Sequence, residues 1–265
     1  MMSMTLKREF NALNAITSRE VMRLIKNPGS IIMNIIFPII FLGFMGGSLS
    51  QNLAGNIGYD FLQFVMIGMI AFNMYMGTAS GVTSLVVERE MNLTQELYVS
   101  PISRYTIMLG KMIGTGIGSL VTILGVIIVA LFMHIPLGGM QFFWLILVTP
   151  AFILLGGSLA IFFIGFVQDS KLAQMGIMLL IMPQMFFSGT IIPIANSTGI
   201  LDFLAKLMPL TYVTDLARGV FYWGDPVFDQ VVLHHPLYNV TVMTAFFFIF
   251  TIIGTFMFAK SERNK

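Results

Sequence analysis

Long stretches without a charged side chain constrain the fold of this protein more than any other feature of its sequence. The five longest cover residues 27–59, 61–87, 112–168, 172–201 and 230–259. About 20 apolar helical residues cross the hydrocarbon core of a bilayer, and uncharged runs of this length are typical of such helices. The 57-residue run has room for two of them, because the sequence from His134 to Gly139 supplies a turn in its middle.

The sequence therefore predicts six transmembrane helices. Their approximate limits are residues 30–48, 61–86, 107–133, 142–166, 172–194 and 239–259. These segments lack the apolar–polar alternation of barrel strands, so a helical bundle is the consistent fold. The predicted class is an all-α membrane protein, with residues 1–265 forming a single transmembrane domain.

Lysine and arginine are distributed unevenly between the two sides of this predicted bundle. Twelve of the 14 fall on the side that holds both termini, and only Lys206 and Arg218 fall on the other. Cytoplasmic loops carry the excess of these residues, so both termini and the loop between the second and third spans are expected in the cytoplasm. The net charge of +2 reflects this bias and does not indicate nucleic-acid binding.

The N-terminal segment, residues 1–28, is predicted to be amphipathic and to lie in the membrane interface. Its apolar residues recur at helical spacing among charges: Leu6, Phe10, Leu13, Val21, Leu24 and Ile25. A capping box at Thr17-Ser18-Arg19-Glu20 predicts that a second short helix starts there. The segment either anchors the chain at the cytoplasmic surface or contacts a partner.

A polar insert, residues 88–104, separates the second span from the third. Asn92 and Gln95 fit the ends of a capping box, and Ser100-Pro101 fits a helix end. The short helix between them would place Leu93, Leu97 and Tyr98 on one face. Such an apolar face is typical of a helix that docks into a groove of another protein, although a plain surface turn is the simpler alternative.

Several kinds of chemistry have no counterpart in the sequence. It contains no G-x-x-x-x-G-K-[ST] phosphate-binding loop. The predicted spans carry no acidic or basic residue away from their ends, which weighs against an ion-coupled carrier. No catalytic residue and no metal ligand set is predicted, and the chain has no cysteine. The first apolar run begins near residue 29, so no cleavable signal peptide is expected.

Glycines four residues apart predict close packing between helices. They occur as Gly43 and Gly47, Gly77 and Gly81, and the set Gly110, Gly114 and Gly118. This spacing lets two helix backbones approach closely. The 22 methionines and 25 phenylalanines are interpreted as lipid-facing or gap-filling residues, with a methionine-lined surface for an apolar substrate as the alternative.

The segment after the fifth span, residues 195–238, is predicted to form a re-entrant helical hairpin on the outer side. Ser188-Gly189 and Pro193 would break the fifth span near its outer end. Pro209 would divide the segment into two helices. Asp215 and Arg218 lie three residues apart on the second and are predicted to pair, either as a modest surface ion pair or as a contact that fixes the hairpin.

Two blocks of residues resemble the permeases of ABC type-2 exporters. The first block comprises Glu88-Arg89-Glu90, Glu96-Leu97, Ser100-Pro101-Ile102-Ser103-Arg104 and Gly110-Lys111. The second comprises Phe187-Ser188-Gly189, Pro193, Pro209-Leu210-Thr211-Tyr212, Asp215 and Arg218-Gly219. The order of the blocks and the six spans are similar to that family over essentially the whole chain. Met91-Asn92 departs from its usual basic residue and glycine.

The resemblance implies a permease that forms a homodimer or pseudo-dimer in the cytoplasmic (inner) membrane of a prokaryote. Two copies of a separate ATPase subunit would bind ATP and magnesium, and this chain would bind no cofactor. Residues 88–104 would then be the coupling loop, and the segment after span five the outer gate. The coupling residues would be Glu88, Arg89, Glu90, Leu93, Glu96, Leu97, Tyr98, Pro101 and Arg104. The gate residues would be Ser188, Gly189, Pro193, Pro209, Tyr212, Asp215 and Arg218.

The expected function is ATP-driven export of a hydrophobic or amphipathic substrate, such as a drug, a lipid or a glycan-lipid, from the cytoplasm or inner leaflet. Phenylalanine dominates the aromatic residues, and tryptophan occurs only at 144 and 223, which disfavours a carbohydrate channel. An ion-coupled carrier or channel and a membrane-anchored assembly subunit are the alternatives.

Overall fold

The computed structural model describes residues 2–53, 58–91, 102–135, 138–167, 169–195 and 197–263. Within these ranges the regular structure is helical, with no strand. The helices are α1 (Met2–Ile25), α2 (Pro28–Leu53), α3 (Phe61–Glu90), α4 (Arg104–Ser119), α5 (Val121–Phe132), α6 (Gly139–Ile164), α7 (Ser170–Phe187), α8 (Ile200–Leu207), α9 (Pro209–Phe221), α10 (Phe228–Val231) and α11 (Pro236–Arg263).

The predicted all-α class with six spans is confirmed. Five stretches are long and apolar enough to cross a membrane: Phe61–Glu90, Arg104–Phe132, Gly139–Ile164, Ser170–Phe187 and Phe228–Met257. Helices α1 and α2 meet the same test together, as a pair bent by 76°. The bend falls at Asn27-Pro28, because proline fits the first turn of a helix but cannot continue the preceding one. The chain is therefore a multi-pass membrane protein.

Carboxylates that interrupt the apolar runs also start two of the spans. Asp60 accepts a hydrogen bond from the amide of Gln63 at 3.1 Å, and Asp169 accepts one from the amide of Leu172 at 2.8 Å. Both are N-caps, since they satisfy amides that have no partner within the helix. The charges that delimit the spans in the sequence thus define their first turns in the fold.

The fifth span is shorter than predicted. Helix α7 ends at Phe187 rather than at residue 194, because Gly189 adopts a φ of 78°. This left-handed conformation suits glycine and turns the chain out of the helix. The predicted break at Ser188-Gly189 is therefore confirmed, and the short helices α8 and α9 follow it as the predicted hairpin requires.

Helix α1 is one continuous helix, so the predicted second start near Thr17 is wrong. The Thr17 hydroxyl donates to the carbonyl of Gly110 on α4 at 3.3 Å instead of capping a new helix. A Cβ added at Gly114 would lie 2.6 Å from the Cβ of Glu20, and one at Gly110 would lie 3.0 Å from that of Ile16. The glycine stripe of α4, Gly110, Gly114 and Gly118, therefore lets α1 pack closely against this helix, as the spacing of the glycines predicted.

A second pair of glycines forms another close crossing. A Cβ at Gly77 would lie 2.9 Å from the Cβ of Ser119, and one at Gly81 would lie 2.4 Å from the Cγ2 of Thr115. Helices α3 and α4 pack closely there. Gly43 has nothing within 4 Å of an added Cβ, so its close-packing prediction does not hold within the described part of the chain.

Helix α3 forms the centre of the bundle. It contacts α2, α4, α5, α6, α7 and α9, and most of its side chains are buried. Its last turn lies beside α1, and its first turn lies beside α9. We call these two ends of the bundle the α1 end and the α9 end. Each end holds a group of buried charged residues.

Candidate functional site

Five charged side chains form a cluster at the α1 end. The Lys111 ammonium on α4 donates to Glu20 of α1 at 2.8 Å and also to Glu88 of α3. The second Glu88 oxygen accepts from Arg19 at 2.5 Å, and the first accepts from Arg23 at 2.8 Å. Arg19 also reaches Glu20 at 3.2 Å. We call these residues the charge cluster; they join α1, α3 and α4 in one network.

The burial of this cluster makes it different from a surface ion pair. The side chain of Lys111 is 0% exposed, and those of Glu20 and Glu88 are 4% and 5% exposed. A buried ion pair gains little over apolar packing, but removing one partner leaves a charge without solvent or counter-charge. The network therefore specifies that these three helices stay together. The half-exposed Arg19 and Arg23 connect it to the surface.

A second set of contacts joins α1 to the C-terminal end of the predicted coupling loop and to the start of α4. Glu9 accepts hydrogen bonds from the Thr106 hydroxyl at 2.6 Å and from the Ser103 amide at 3.1 Å. Glu88 is the first residue of the predicted coupling loop and Ser103 lies near its last, so α1 contacts both ends of that segment. Glu90 also accepts from the amide of Ser170 at 2.7 Å, which links the loop to the start of α7.

The Glu9 contacts predict a pH dependence. The Thr106 hydroxyl and the Ser103 amide lower the pKa of Glu9, because both donate to its charged form. A carboxylate with a lowered pKa stabilises the fold above its unfolded pKa and loses that contribution as pH falls through the folded value. The N-terminal half of α1 is therefore expected to loosen as the pH falls below the ordinary pKa of a glutamate and through the lowered pKa of Glu9.

A spin label on Leu6→Cys measures this loosening as increased label mobility on acidification, since the chain has no other cysteine to label. The same label in a Glu9→Gln background is expected to lose the transition. An identical transition in both proteins would assign the effect to another group.

The predicted coupling residues that the structure describes lie at the two ends of residues 88–104. Glu88 is buried in the charge cluster, while Arg89 and Arg104 are partly exposed and Glu90 is exposed. The other predicted coupling residues lie outside the described residues: Leu93, Glu96, Leu97, Tyr98 and Pro101. A coupling helix there stays a prediction.

A groove runs from the charge cluster into the membrane-spanning part of the bundle. Its volume is about 590 Å³, and it lies between the bent α1–α2 pair, α3, α4 and α7. Its lining combines two kinds of residue. Small and neutral polar residues come mainly from α3 and α4, and methionines come from α2, α3 and α7, together with Phe37.

Arg218 anchors α9 at the opposite end of the bundle. Its guanidinium donates to the carbonyls of Gly189 at 2.8 Å, Thr190 at 3.0 Å and Phe64 at 3.4 Å. It also lies 3.4 Å from the ring centroid of Phe64, within range of a cation–π interaction. Arg218 is 3% exposed. It therefore joins α9 to α3 and to the turn that ends α7.

Asp215 anchors the other side of α9. Its carboxylate accepts from the amides of Leu233 at 2.7 Å and His234 at 2.8 Å, and from the side-chain amide of Asn239 at 2.8 Å. The predicted Asp215–Arg218 pair is therefore wrong, because each side chain bonds to a different neighbouring segment. The two residues do fix α9 in place, one on each side.

The remaining predicted gate residues surround α9. Ser188 is buried, and its hydroxyl lies 2.8 Å from that of Thr190. Pro209 begins α9, and the Tyr212 hydroxyl donates to the carbonyl of Lys206 at 2.8 Å, which fixes the turn after α8. Pro193 is partly buried in the segment after Gly189. These residues lie close together at the α9 end.

Sequence reasoning missed three residues that hold these two sites together: Glu20, Lys111 and Asn239. The sequence contains an indication for Glu20. Ile16, Glu20 and Leu24 recur every four residues, which is the spacing of the glycines Gly110, Gly114 and Gly118 that they face. Lys111 stands near the start of a predicted span, where the sequence alone indicates only a charge that sets topology. Asn239 is 0% exposed and had no sequence signal.

Comparison with known proteins yields a family and several relatives. A family profile described as "ABC-2 type transporter" matches residues 11–222. The ycf38 protein of Cyanophora paradoxa, named as a transport permease, is 20% identical over 260 residues, 94% of this chain and 88% of that protein. The ycf38 protein of Porphyra purpurea is 23% identical over 227 residues, 83% of this chain and 77% of that protein.

YbhR of Escherichia coli (strain K12), named as a multidrug ABC transporter permease, is also similar. It is 28% identical over 194 residues, which cover 72% of this chain and 51% of YbhR. The match therefore spans about half the length of that relative.

Proposed function

This chain belongs to the ABC-2 type transporter family, and from that premise we propose that it is the permease of an ATP-driven exporter. Members of the family are transmembrane subunits of ABC transporters. The observation that carries the proposal is that α1 contacts both ends of the predicted coupling loop. Arg19 of α1 pairs with Glu88 at one end, and Glu9 of α1 accepts from the amide of Ser103 at the other. A force applied to this loop would act on α1, α3 and α4 together.

The proposal places the α1 end in the cytoplasm and the α9 end outside, in the inner membrane of a prokaryote. The lysine and arginine distribution supports this orientation, since 12 of the 14 fall on the side of the termini. The coupling loop then faces the compartment that holds ATP. The anchored α9 lies where an outer gate is needed.

The proposed partners are two copies of an ABC ATPase and a second permease of the same or a related kind. ATP and magnesium bind to the ATPases, because this chain lacks the phosphate-binding loop. Closure of the ATPases moves the coupling loop, and the buried charge cluster transmits that movement to the helices that line the groove. Arg218 and Asp215 hold α9 against α3, α7 and α11 while the helices move.

The proposed cargo is a hydrophobic or amphipathic molecule. The mixed polar and apolar lining of the groove supports this class, and one relative, YbhR, is named as a multidrug permease. Export is the proposed direction.

Co-purification and transport assays test the proposal together. An ABC ATPase is expected to co-purify with the native permease, and Leu97→Asp is expected to reduce that association or to uncouple ATP hydrolysis from transport. Lys171→Asp changes an exposed residue on α7 and serves as the control. Transport by the permease reconstituted alone would contradict the proposal and favour an ion-coupled carrier, and so would the absence of any ATPase from the native complex.

A further inference from the structure

The turn that follows α7 is buried although it is not helical. Residues 188–191, which we call the α7 turn, are all buried, and Thr190 is 0% exposed. Buried carbonyls outside a helix need a donor from another part of the chain. The carbonyls of Gly189 and Thr190 accept from the guanidinium of Arg218, and among the described residues they have no other donor. We call these two hydrogen bonds the Arg218 contact, which attaches the α7 turn to α9.

The burial of a charge offsets part of the free energy of the Arg218 contact. In the described part of the chain the partners of Arg218 are neutral, namely three backbone carbonyls and the ring of Phe64. Its Nε makes no hydrogen bond there, and neither does the hydroxyl of Tyr222 one turn later on α9. Burial lowers the pKa of Arg218 to about 10, because removal from water disfavours the charged form. A guanidinium buried without a paired carboxylate regains hydration when its contact opens.

Asp215 makes a more complete set of contacts on the other side of α9. Its carboxylate accepts three hydrogen bonds, from the amides of Leu233 and His234 and from the side chain of Asn239. Hydrogen bonds to a charged acceptor are among the stronger ones, and breaking these would leave a buried carboxylate and its donors unpaired. Of the two anchors of α9, the Arg218 contact is therefore the one that can open at lower cost.

Gly68 of α3 provides the space in which the Arg218 contact forms. A Cβ added there would lie 2.5 Å from the carbonyl oxygen of Thr190 and 2.8 Å from Nη2 of Arg218. Cβ atoms essentially never come within 3.0 Å of another heavy atom, so a larger residue would displace the carbonyl, the guanidinium or both. The glycine spacing in the sequence did not indicate this role, because the residues four positions away are Phe64 and Phe72.

Helix α7 connects the α7 turn to the predicted coupling loop. Its first residue, Ser170, donates its amide to Glu90 at 2.7 Å, and the α7 turn follows its last residue, Phe187. Between these ends, α7 lines the groove through Met178 and Met182. A displacement of the coupling loop can therefore reach the α7 turn through a single helix of 18 residues.

We propose that Gly68 is a positioning residue for transport, because it lets the α7 turn and Arg218 close the outer end of the permease. The outer end opens when the α7 turn withdraws from Gly68, while α9 keeps its Asp215 contacts. Both anchors hold while the α1 end moves, and the Arg218 contact opens at the later step in which cargo leaves. This inference rests on the proposed function, since it takes the α9 end as the outer gate.

Cysteine accessibility in the α7 turn tests this closure on the purified permease, without an ATPase. Ile191 is 2% exposed, and Ile191→Cys introduces the only thiol of the chain. A charged methanethiosulfonate reagent is expected to modify it at least about tenfold faster in a Gly68→Ala background, because overpacking at this point displaces the turn. Gly77→Ala on the same helix is the matched control. Its added Cβ would lie 2.9 Å from the Cβ of Ser119, away from the turn, and the rate is expected to stay within about twofold of the parent.

A second variant changes the Arg218 contact from the other side. Arg218→Lys keeps the positive charge but loses the planar fork that reaches two carbonyls, so it is also expected to accelerate modification of Ile191→Cys. Because both changes act on one contact, the double variant is expected to react no more than about twofold faster than the faster single variant. Equal rates in Gly68→Ala and Gly77→Ala would overturn the proposal. Multiplying effects in the double variant, or an unchanged rate in Arg218→Lys, would overturn it as well.

The native complex with its ATPase tests the opening step. ATP is expected to raise the rate of Ile191→Cys modification, while hydrogen exchange at residues 233 and 234 stays unchanged because the Asp215 contacts persist. A complex that hydrolyses ATP without raising the modification rate would overturn the opening step, and so would faster exchange at residues 233 and 234. The absence of any ATPase would instead contradict the proposed function and would not alter the result on the purified permease.

Discussion

Replacing Lys111 with methionine is expected to lower the free energy of unfolding by about 3 kcal/mol. Lys111 is fully buried and donates to both Glu20 and Glu88. Its loss leaves two buried carboxylates, and the half-exposed Arg19 and Arg23 compensate for them only in part. Thermal unfolding of the purified permease measures the effect, and α1 is expected to detach from α4 first.

The detachment of α1 has its own measurement. Ala12 is 8% exposed, so a cysteine there is expected to resist a maleimide in the parent protein and to react in the Lys111→Met background. Lys171→Met removes an exposed lysine and is expected to stay within about 0.5 kcal/mol of the parent.

A double-mutant cycle then tests the ionic contact itself. Because Glu20→Gln removes one of the two carboxylates, Lys111→Met is expected to cost at least about 1 kcal/mol less in that background. Strictly additive losses would contradict a direct contact between these residues.

Asp215→Ala is expected to destabilise the α9 end by about 3 kcal/mol. The change removes an acceptor from the amides of Leu233 and His234 and from the buried side chain of Asn239. Donors buried without an acceptor lose their hydrogen bond and do not regain water. Thermal unfolding gives the total, and hydrogen exchange at residues 233 and 234 is expected to accelerate.

Asp202→Ala is the matched control, since it also removes a carboxylate from the α9 end. Asp202 pairs with Lys206 at 2.7 Å, but both side chains are exposed. Its loss is expected to cost no more than about 0.5 kcal/mol. If Asp215→Ala and Asp202→Ala lower the free energy of unfolding equally, the buried contacts of Asp215 contribute no more to stability than an exposed ion pair.

The spans and their starts were predictable because the requirement for crossing a membrane can be checked along the sequence alone. A helix must keep charges out of the hydrocarbon core along its whole length, so the charge-free runs predicted the spans. The carboxylates between runs were free to cap the next helix, as Asp60 and Asp169 do. The break after Phe187 was predictable for a similarly local reason, since glycine there allows the left-handed turn.

The partners of the buried charges were not predictable, because they depend on which helices become neighbours. Lys111 and Glu20 are 91 residues apart, and only the seating of α1 on the glycine stripe brings them together. Asp215 and Arg218 looked like a local pair because they are neighbours on one helix. Backbone amides and carbonyls of two other segments offered each of them several contacts, and these outcompeted the single local one.

The anchoring of α9 has a consequence for which substitutions this protein tolerates. Arg218 binds carbonyl oxygens of Gly189, Thr190 and Phe64, and Asp215 binds amide nitrogens of Leu233 and His234. Every residue supplies these backbone groups, apart from the amide that proline lacks. The partly exposed side chains at 233 and 234 are therefore freer to vary while the hydrogen-bonding geometry persists, whereas Thr190 is buried and bonds to Ser188. Related permeases can then vary the side chains at this end of the bundle around the same two anchors.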